Sequence, residues 1–149
     1  MIIDQARGEE AHDLTRLALA SKRHWGYDDD FMARCRNELT VHEGDLTTHR
    51  AYVARDAERR LGFYILIALT ETSVEMDMLF VEPSSIGSGV GGALMRHAVE
   101  RARTDGATTM RIVADPFAAA FYEHVGAVLV GSSVSSSTGR SLPEYELSL

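Results

Sequence analysis

Four glycines in six residues, Gly87, Gly89, Gly91 and Gly92, stand where an apolar, β-like run ending at Val81 breaks at Pro83 and gives way to an amphipathic, helix-like pattern. A strand, a glycine-rich turn and a helix in that order build a cradle for an anion such as a phosphate. Residues without a Cβ let the backbone come close to the charge, and the free N–H groups of a helix's first turn, at the positive end of its dipole, hold it. Two better-known phosphate loops are excluded by their letters. A nucleoside triphosphate P-loop needs Gly-Lys followed by Ser or Thr, whereas Gly91 and Gly92 run into Ala93. Gly87-Ser-Gly-Val-Gly-Gly92 fits G-x-G-x-x-G, but a dinucleotide fold places that fingerprint after its first strand, and here it falls beyond the middle of the chain. The alternative, that the glycines serve close packing alone, stays open at this level.

Two acids, Glu75 and Asp77, lie on the strand that leads into this loop, and period-2 alternation puts both on one face with Leu79 and Val81. Carboxylates beside a binding loop offer general-base chemistry; the same pattern also describes a solvated strand face. The elements that must position these groups are readable from periodicity. Residues 2–6 read as a short strand, 8–24 as a helix with Leu14, Leu17, Ala18, Ser21 and Trp25 on one face, and 28–38 as a second short helix. Strands follow over 50–55, 61–70 and 74–81, joined by turns short enough for antiparallel hairpins. The helix after the loop buries Gly91, Leu94, Met95, Ala98, Val99 and Ala102 and stops at Gly106. A strand over 108–114, a helix capped by Asp115 and opened by Pro116, and two more strands complete the order β-α-α-β-β-β-α-β-α-β-β. The expected fold is α/β, one domain over residues 1–149 with a mixed sheet covered by helices.

Residues 74–131 resemble the acetyl-CoA-binding core of the Gcn5-related N-acetyltransferases (GNAT). A strand ends in Leu79-Phe-Val81, Pro83 follows, and the loop matches that family's Q/R-x-x-G-x-G/A pattern. Downstream, Asp115-Pro-Phe-Ala-Ala-Ala-Phe-Tyr-Glu-His-Val-Gly126 is similar to the family's Asn-x-x-Ala-x-x-x-Tyr-x-x-x-Gly-Phe segment, keeping Ala118, Tyr122 and Gly126. The departures are Ile86 for Gln or Arg, which removes a side-chain contact to the pyrophosphate, Asp115 for Asn, and Ala127 for Phe. The resemblance implies a single-domain, mostly antiparallel sheet flanked by helices, with acetyl-CoA as co-substrate and no metal. It implies direct acetyl transfer to a primary amine of a small molecule or peptide in a ternary complex. It also implies a cofactor site formed by Leu79, Phe80, Val81, Ile86, Gly87, Ser88, Gly89, Val90, Gly91, Gly92, Asp115, Ala118 and Tyr122. The rival class is a non-catalytic acyl-CoA-binding or sensing domain, for which Ile86, Asp115 and Ala127 are the hints.

A thioester is an activated acyl donor, so the protein must align it, take a proton from the attacking ammonium, steady the oxyanion and protonate the leaving thiolate. By the resemblance, Tyr122 is the general acid, the Leu79 N–H polarises the carbonyl, and the backbone of Phe80 and Val81 pairs with the pantetheine arm. Glu75 is favoured over Asp77 as the base, since some family members carry one six residues before the strand-terminal Val. Ser21-Lys-Arg-His-Trp-Gly-Tyr27 and Gly139-Arg-Ser-Leu-Pro143 resemble segments of one bacterial branch of the family, where they flank the acceptor groove. Trp25, Tyr27 and Arg140 are therefore the candidate acceptor contacts; their other reading is a core Trp25 and a surface Arg140. The run Asp28, Asp29 and Asp30 would attract a polyamine-like cation if it lined the groove, and would otherwise be a solvated helix start.

Composition bounds the remaining choices. A chain of 149 residues with 45% hydrophobic content suits one core, and no 18-residue apolar run or N-terminal signal pattern is present, so neither a membrane nor export is expected. A net charge of -7 argues against nucleic acid, which calls for a basic footprint. One cysteine, Cys35, allows no internal disulfide and suits a cytoplasmic, reducing setting. The six histidines show no metal-ligand spacing with Cys35 or with each other. Terminal strands at the sheet edges leave a homodimer open.

Overall fold

The computed structural model describes residues 1 to 149, and its apolar runs form seven strands: β1 (Ile2–Gln5), β2 (Arg50–Asp56), β3 (Arg59–Ala68), β4 (Ser73–Val81), β5 (Thr109–Val113), β6 (Val128–Val134) and β7 (Ser141–Ser148). They make one sheet in the order β1-β2-β3-β4-β5-β7-β6, antiparallel at every pairing except β4 with β5. The expected mixed, mostly antiparallel sheet flanked by helices is therefore the one observed.

Helices cover both faces. α4 (Val90–Thr104) and α5 (Ala119–His124) bury Leu94, Met95, Ala98, Ala102 and Tyr122 against Tyr64, Leu66, Met76, Ile112 and Tyr145. On the opposite face, α1 (Ala11–Arg23) and α3 (Glu43–Thr48) place Leu14, Leu17, Ala18 and Leu46 against Val53, Phe63, Ile65 and Met78. β3 thus reads as a continuous apolar run because successive side chains enter two cores. α2 (Asp29–Leu39) adds a small third cluster of Phe31, Met32, Cys35 and Leu39.

Two points differ from the sequence expectations. α3 was not foreseen, because it is six residues long with only Leu46 buried, too little for a 3.6-residue period; the Asp45 carboxylate accepting from the His42 N–H defines its start. α1 ends at Arg23, and Gly26 turns the chain at φ +97°, so Trp25 lies off the apolar stripe assigned to it. The acidic run starts α2: Asp28 accepts from the Phe31 N–H and Asp29 pairs with Arg23. No helix is long and apolar enough to cross a membrane. At one sheet edge, β6 exposes Val128, Leu129, Val130 and Val134.

The most concentrated charge cluster pins the first turn to the sheet. Glu10 is fully buried, yet Arg55 donates to it twice, at 2.6 and 2.7 Å, and Arg60 once at 2.6 Å. Burial pulls its carboxyl upward, but the Arg55 side chain, the Arg7 amide and Arg60 outweigh that and hold it at about 2. Because this value lies below that of the unfolded chain, the cluster stabilises the fold above the ordinary glutamate range and loses that effect as pH falls toward 2. Glu10→Gln should cost about 3 kcal/mol at neutral pH, the range for breaking a buried ion pair. Urea midpoints should show the difference between variant and parent shrinking by more than half near pH ~3.

Candidate active site

The cleft begins where β4 and β5 part. Their parallel pairing covers only Ser73, Glu75 and the residue between, against Thr109 to Arg111. Beyond it the two strands separate, and a cleft of about 880 Å³ opens between their C-terminal ends. β4 is also bulged: Ile65 pairs with Met78 and Leu66 with Met76, so Asp77 has no partner on β3. An extra residue in one strand reverses its alternation. Leu79 and Val81 therefore pack toward the core under α4, as Met76 does, while Met78 and Phe80 face α1 and α2. This corrects the expectation that Glu75 and Asp77 share a face with Leu79 and Val81. Both acids still line the cleft.

The same register decides which backbone groups are free. The Glu82 N–H donates to the Leu61 carbonyl at 2.8 Å, so alternation turns the Phe80 amide toward β3 and those of Leu79 and Val81 away from it, into the gap. Pairing with an extended ligand therefore falls to Leu79 and Val81; the backbone of Phe80, expected to share it, is spent on β3. Gly62 lets β3 pass this close, since a Cβ there would lie 2.7 Å from the Phe80 oxygen and 2.9 Å from Leu94 Cδ1.

At the cleft's other end lies the glycine loop. Pro83 opens a 3₁₀ turn through Ser85, Gly87 and Gly89 take φ of +83° and +90°, and α4 starts at Val90. The amides of Gly87, Gly89, Val90, Gly91 and Gly92 donate to no acceptor in the fold. Nothing lies within 4 Å of where a Cβ of Gly87 or Gly89 would sit, so the backbone is open to a ligand. The residues present thus fit a pyrophosphate group. Ser88 spends both its hydroxyl and its N–H on the Ser85 carbonyl and so offers a ligand no donor, while Val90, whose side chain is buried, offers its backbone only. Ile86 is exposed at the cleft. Arg96, in the second turn of α4, reaches the cradle, with Nη1 3.4 Å from where a Gly92 Cβ would lie.

Tyr122 has its ring in the core and lines the cleft, and its hydroxyl takes no partner in the fold. Burial pushes its phenol well above the ordinary value, which keeps the proton on. The two acids differ sharply. Glu75 is ion-paired to Arg111, which also donates to Glu144 at 2.6 Å. Asp77 has neither ion pair nor hydrogen bond; burial, then the neighbouring Glu75 and Asp45 carboxylates, raise its pKa, with His49 opposing.

Asp115 is more than a cap. It accepts from the Phe117 N–H at 2.9 Å, as predicted, and also from Lys22 Nζ at 2.9 Å, from the Tyr27 hydroxyl at 2.9 Å and, weakly, from Arg140 at 3.4 Å. Burial alone would raise its carboxyl, but Lys22, the Phe117 amide and Tyr27 lower it. Arg140 donates to the Tyr27 hydroxyl at 2.7 Å and lies over the Phe31 ring, 4.6 Å from its centre. Tyr27 and Arg140 therefore stand behind Asp115, not on the cleft wall. Trp25 is on that wall, stacked on Phe117 with ring centres 5.4 Å apart, and neither ring is buried. Ala118 lines the cleft too. The Asp28 to Asp30 run does not, which removes the basis for a polyamine-like acceptor. Sequence reasoning passed over Lys22 and Phe117, although both lie inside segments it had singled out. No group of three or more His, Cys, Asp or Glu side chains is placed to hold a metal.

A half-open sheet, a strand edge presenting free amides and an amide-rich helix start on one cleft suit an extended, phosphate-bearing ligand of the acyl-CoA type. The acetyltransferase (GNAT) domain family matches residues 47–126, more than half of the chain, and the chain belongs to that family. Among solved structures it is similar to a GCN5-related N-acetyltransferase from Rhodopseudomonas palustris, at 20% identity and TM-score 0.83 over 99% of this chain and 95% of that one. It is also similar to the PaiA N-acetyltransferase of Thermoplasma acidophilum in complex with coenzyme A, at 16% identity and TM-score 0.76 over 99% and 98%. YncA of Salmonella typhimurium, solved with its cofactor acetyl-CoA, shares 20% identity and TM-score 0.71 over 100% and 94%. At these identities the likeness is one of fold. No curated protein matches the chain by sequence.

Gly62→Ala should lower stability by about 1–3 kcal/mol, because its Cβ must push β4 away at Phe80. A urea titration checks this, and a change of under about 0.5 kcal/mol would mean that the strands have room to give.

Proposed function

We infer that the protein transfers an acetyl group from acetyl-CoA to a primary amine of a small molecule or peptide, by direct attack in a ternary complex. The observation that carries this reading is the alignment of three features along one cleft: the unpaired amides before α4, the free edge at Leu79 and Val81, and the unpartnered Tyr122 hydroxyl. Family membership and the fold shared with coenzyme A complexes support it.

Acetyl-CoA supplies the acyl group already activated as a thioester. The amides of Gly87, Gly89, Val90, Gly91 and Gly92 hold the pyrophosphate, replacing the side-chain contact that Ile86 cannot make. Leu79 and Val81 pair with the pantetheine arm as with an added strand, and the Leu79 N–H is aimed at the carbonyl oxygen, where negative charge develops. Asp77 takes the proton from the attacking ammonium. It is preferred to Glu75 because its carboxylate has no competing cation, whereas Arg111 neutralises Glu75. Tyr122 gives its proton to the leaving sulfur, a role that requires the protonated phenol its burial maintains.

Calorimetric titration with acetyl-CoA, with free CoA and ATP beside it, tests the binding half: one saturable acetyl-CoA site with ATP inert is expected, and no heat at millimolar ligand overturns the reading. Tyr122→Phe should cut kcat about 100-fold or more, within the span of general acid catalysis, and leave the acetyl-CoA Kd unchanged. Asp77→Asn should remove the acidic limb of the kcat/KM profile, where activity rises as the carboxyl ionises. Persistence of that limb would return the base role to Glu75.

A further inference from the structure

The charges around the cleft are sorted by position. Glu75 and Asp77 lie on β4, where the amine must be deprotonated. On the wall formed by the end of α1, the balance is reversed. Lys22 and Arg140 face a single carboxylate, Asp115, so this cluster keeps one uncompensated positive charge. Neither cation is free in solvent: the side chains are 15% and 29% exposed. Their hydrogen-bonding capacity is largely unspent. Lys22 uses one of three ammonium protons, and Arg140 engages only Tyr27 and, distantly, Asp115, leaving Nε buried without a partner. Two part-buried cations sharing one acid are costly unless a second anion arrives.

Resting on the acetyl-transfer reading above, we propose that the acceptor amine also carries a carboxylate, and that Lys22, at the cleft wall, binds it with Arg140 reinforcing the charge from behind Asp115. The acceptor class is thus amino acids and related zwitterions, not simple cationic amines. The donor's phosphates are the other source of negative charge, but the position of Lys22 argues against them. α1 packs on the sheet face opposite α4, whose first turn is the phosphate cradle. Glu38, the remaining acid on this side, is exposed at the mouth and accepts from Ser137. It therefore leaves the charge at Lys22 in place.

The test is a panel of α- and ω-amino acids, each paired with its own carboxamide, assayed by release of the CoA thiol, with acetyl-CoA affinity measured separately by calorimetry. Acids should be preferred over their amides by at least about tenfold in kcat/KM, mainly through KM, as for a site built around a polar group of its substrate. Lys22→Met should bring that ratio to within about twofold of unity without altering the acetyl-CoA Kd, and Arg140→Gln should reduce it part of the way. Parent enzyme that uses amides as well as acids overturns the proposal, whatever becomes of the variants. A Lys22→Met protein whose acetyl-CoA Kd rises in step with the lost activity also overturns it and assigns the cation to the donor's phosphates. If acetyl-CoA binds but no amino acid in the panel is acetylated, the carboxylate assignment falls alone. If acetyl-CoA does not bind, the acetyl-transfer reading falls with it.

Discussion

The molecule turns on the place where β4 and β5 stop pairing. Adjacent strands in a sheet lie about 4.8 Å apart and satisfy one another's amides, so two neighbours that separate must leave an unpaired edge or find something to fill the gap. Here the parallel pairing ends at Glu75 and Arg111. The Asp77 bulge twists β4 just past that point, and Gly62 keeps β3 against the departing strand on its other side. The resulting edge at Leu79 and Val81 leads straight into the Pro83 turn and the first amides of α4. An extended, phosphate-bearing thioester is the shape this continuous row of donors suits.

The two sheet faces then divide the labour. α4 and α5 supply the cradle and Tyr122 from one side, while α1 and α2 close the cleft from the other. Asp115 joins the halves. It caps the 3₁₀ turn that enters α5, and the same carboxylate holds Lys22 at the end of α1, Tyr27 in the following loop and Arg140 near the start of β7. Replacing the family's usual Asn by Asp adds the charge needed to hold two cations there. Of the other departures, Ala127 is buried where the family has Phe, and Ile86 leaves the neighbouring amides untouched.

Much of this was legible in the letters. The glycine loop, the α4 stripe, the capping Asp115 before Pro116 and the succession of helices and strands along the chain depend on local periodicity and turn chemistry, which act within a few residues. The segments Ser21 to Tyr27 and Gly139 to Pro143 do come together, but of the three acceptor contacts expected from them only one lies on the cleft. Trp25 faces the cleft, while Tyr27 and Arg140 stand behind Asp115. α3 left no signal, since one buried leucine has no period.

The sequence by itself determined most of the elements and that a glycine-rich helix start is followed by a tyrosine-bearing helix, because helix starts, glycine turns and apolar faces are local properties. Only the tertiary structure decided which backbone groups are free, which acid is unpaired and where the charge balance is positive. A one-residue bulge reverses a strand's alternation, and an ion pair joins residues more than 90 positions apart, as Lys22 and Asp115 are. Neither can be read from spacing, because both depend on which strand lies next to which.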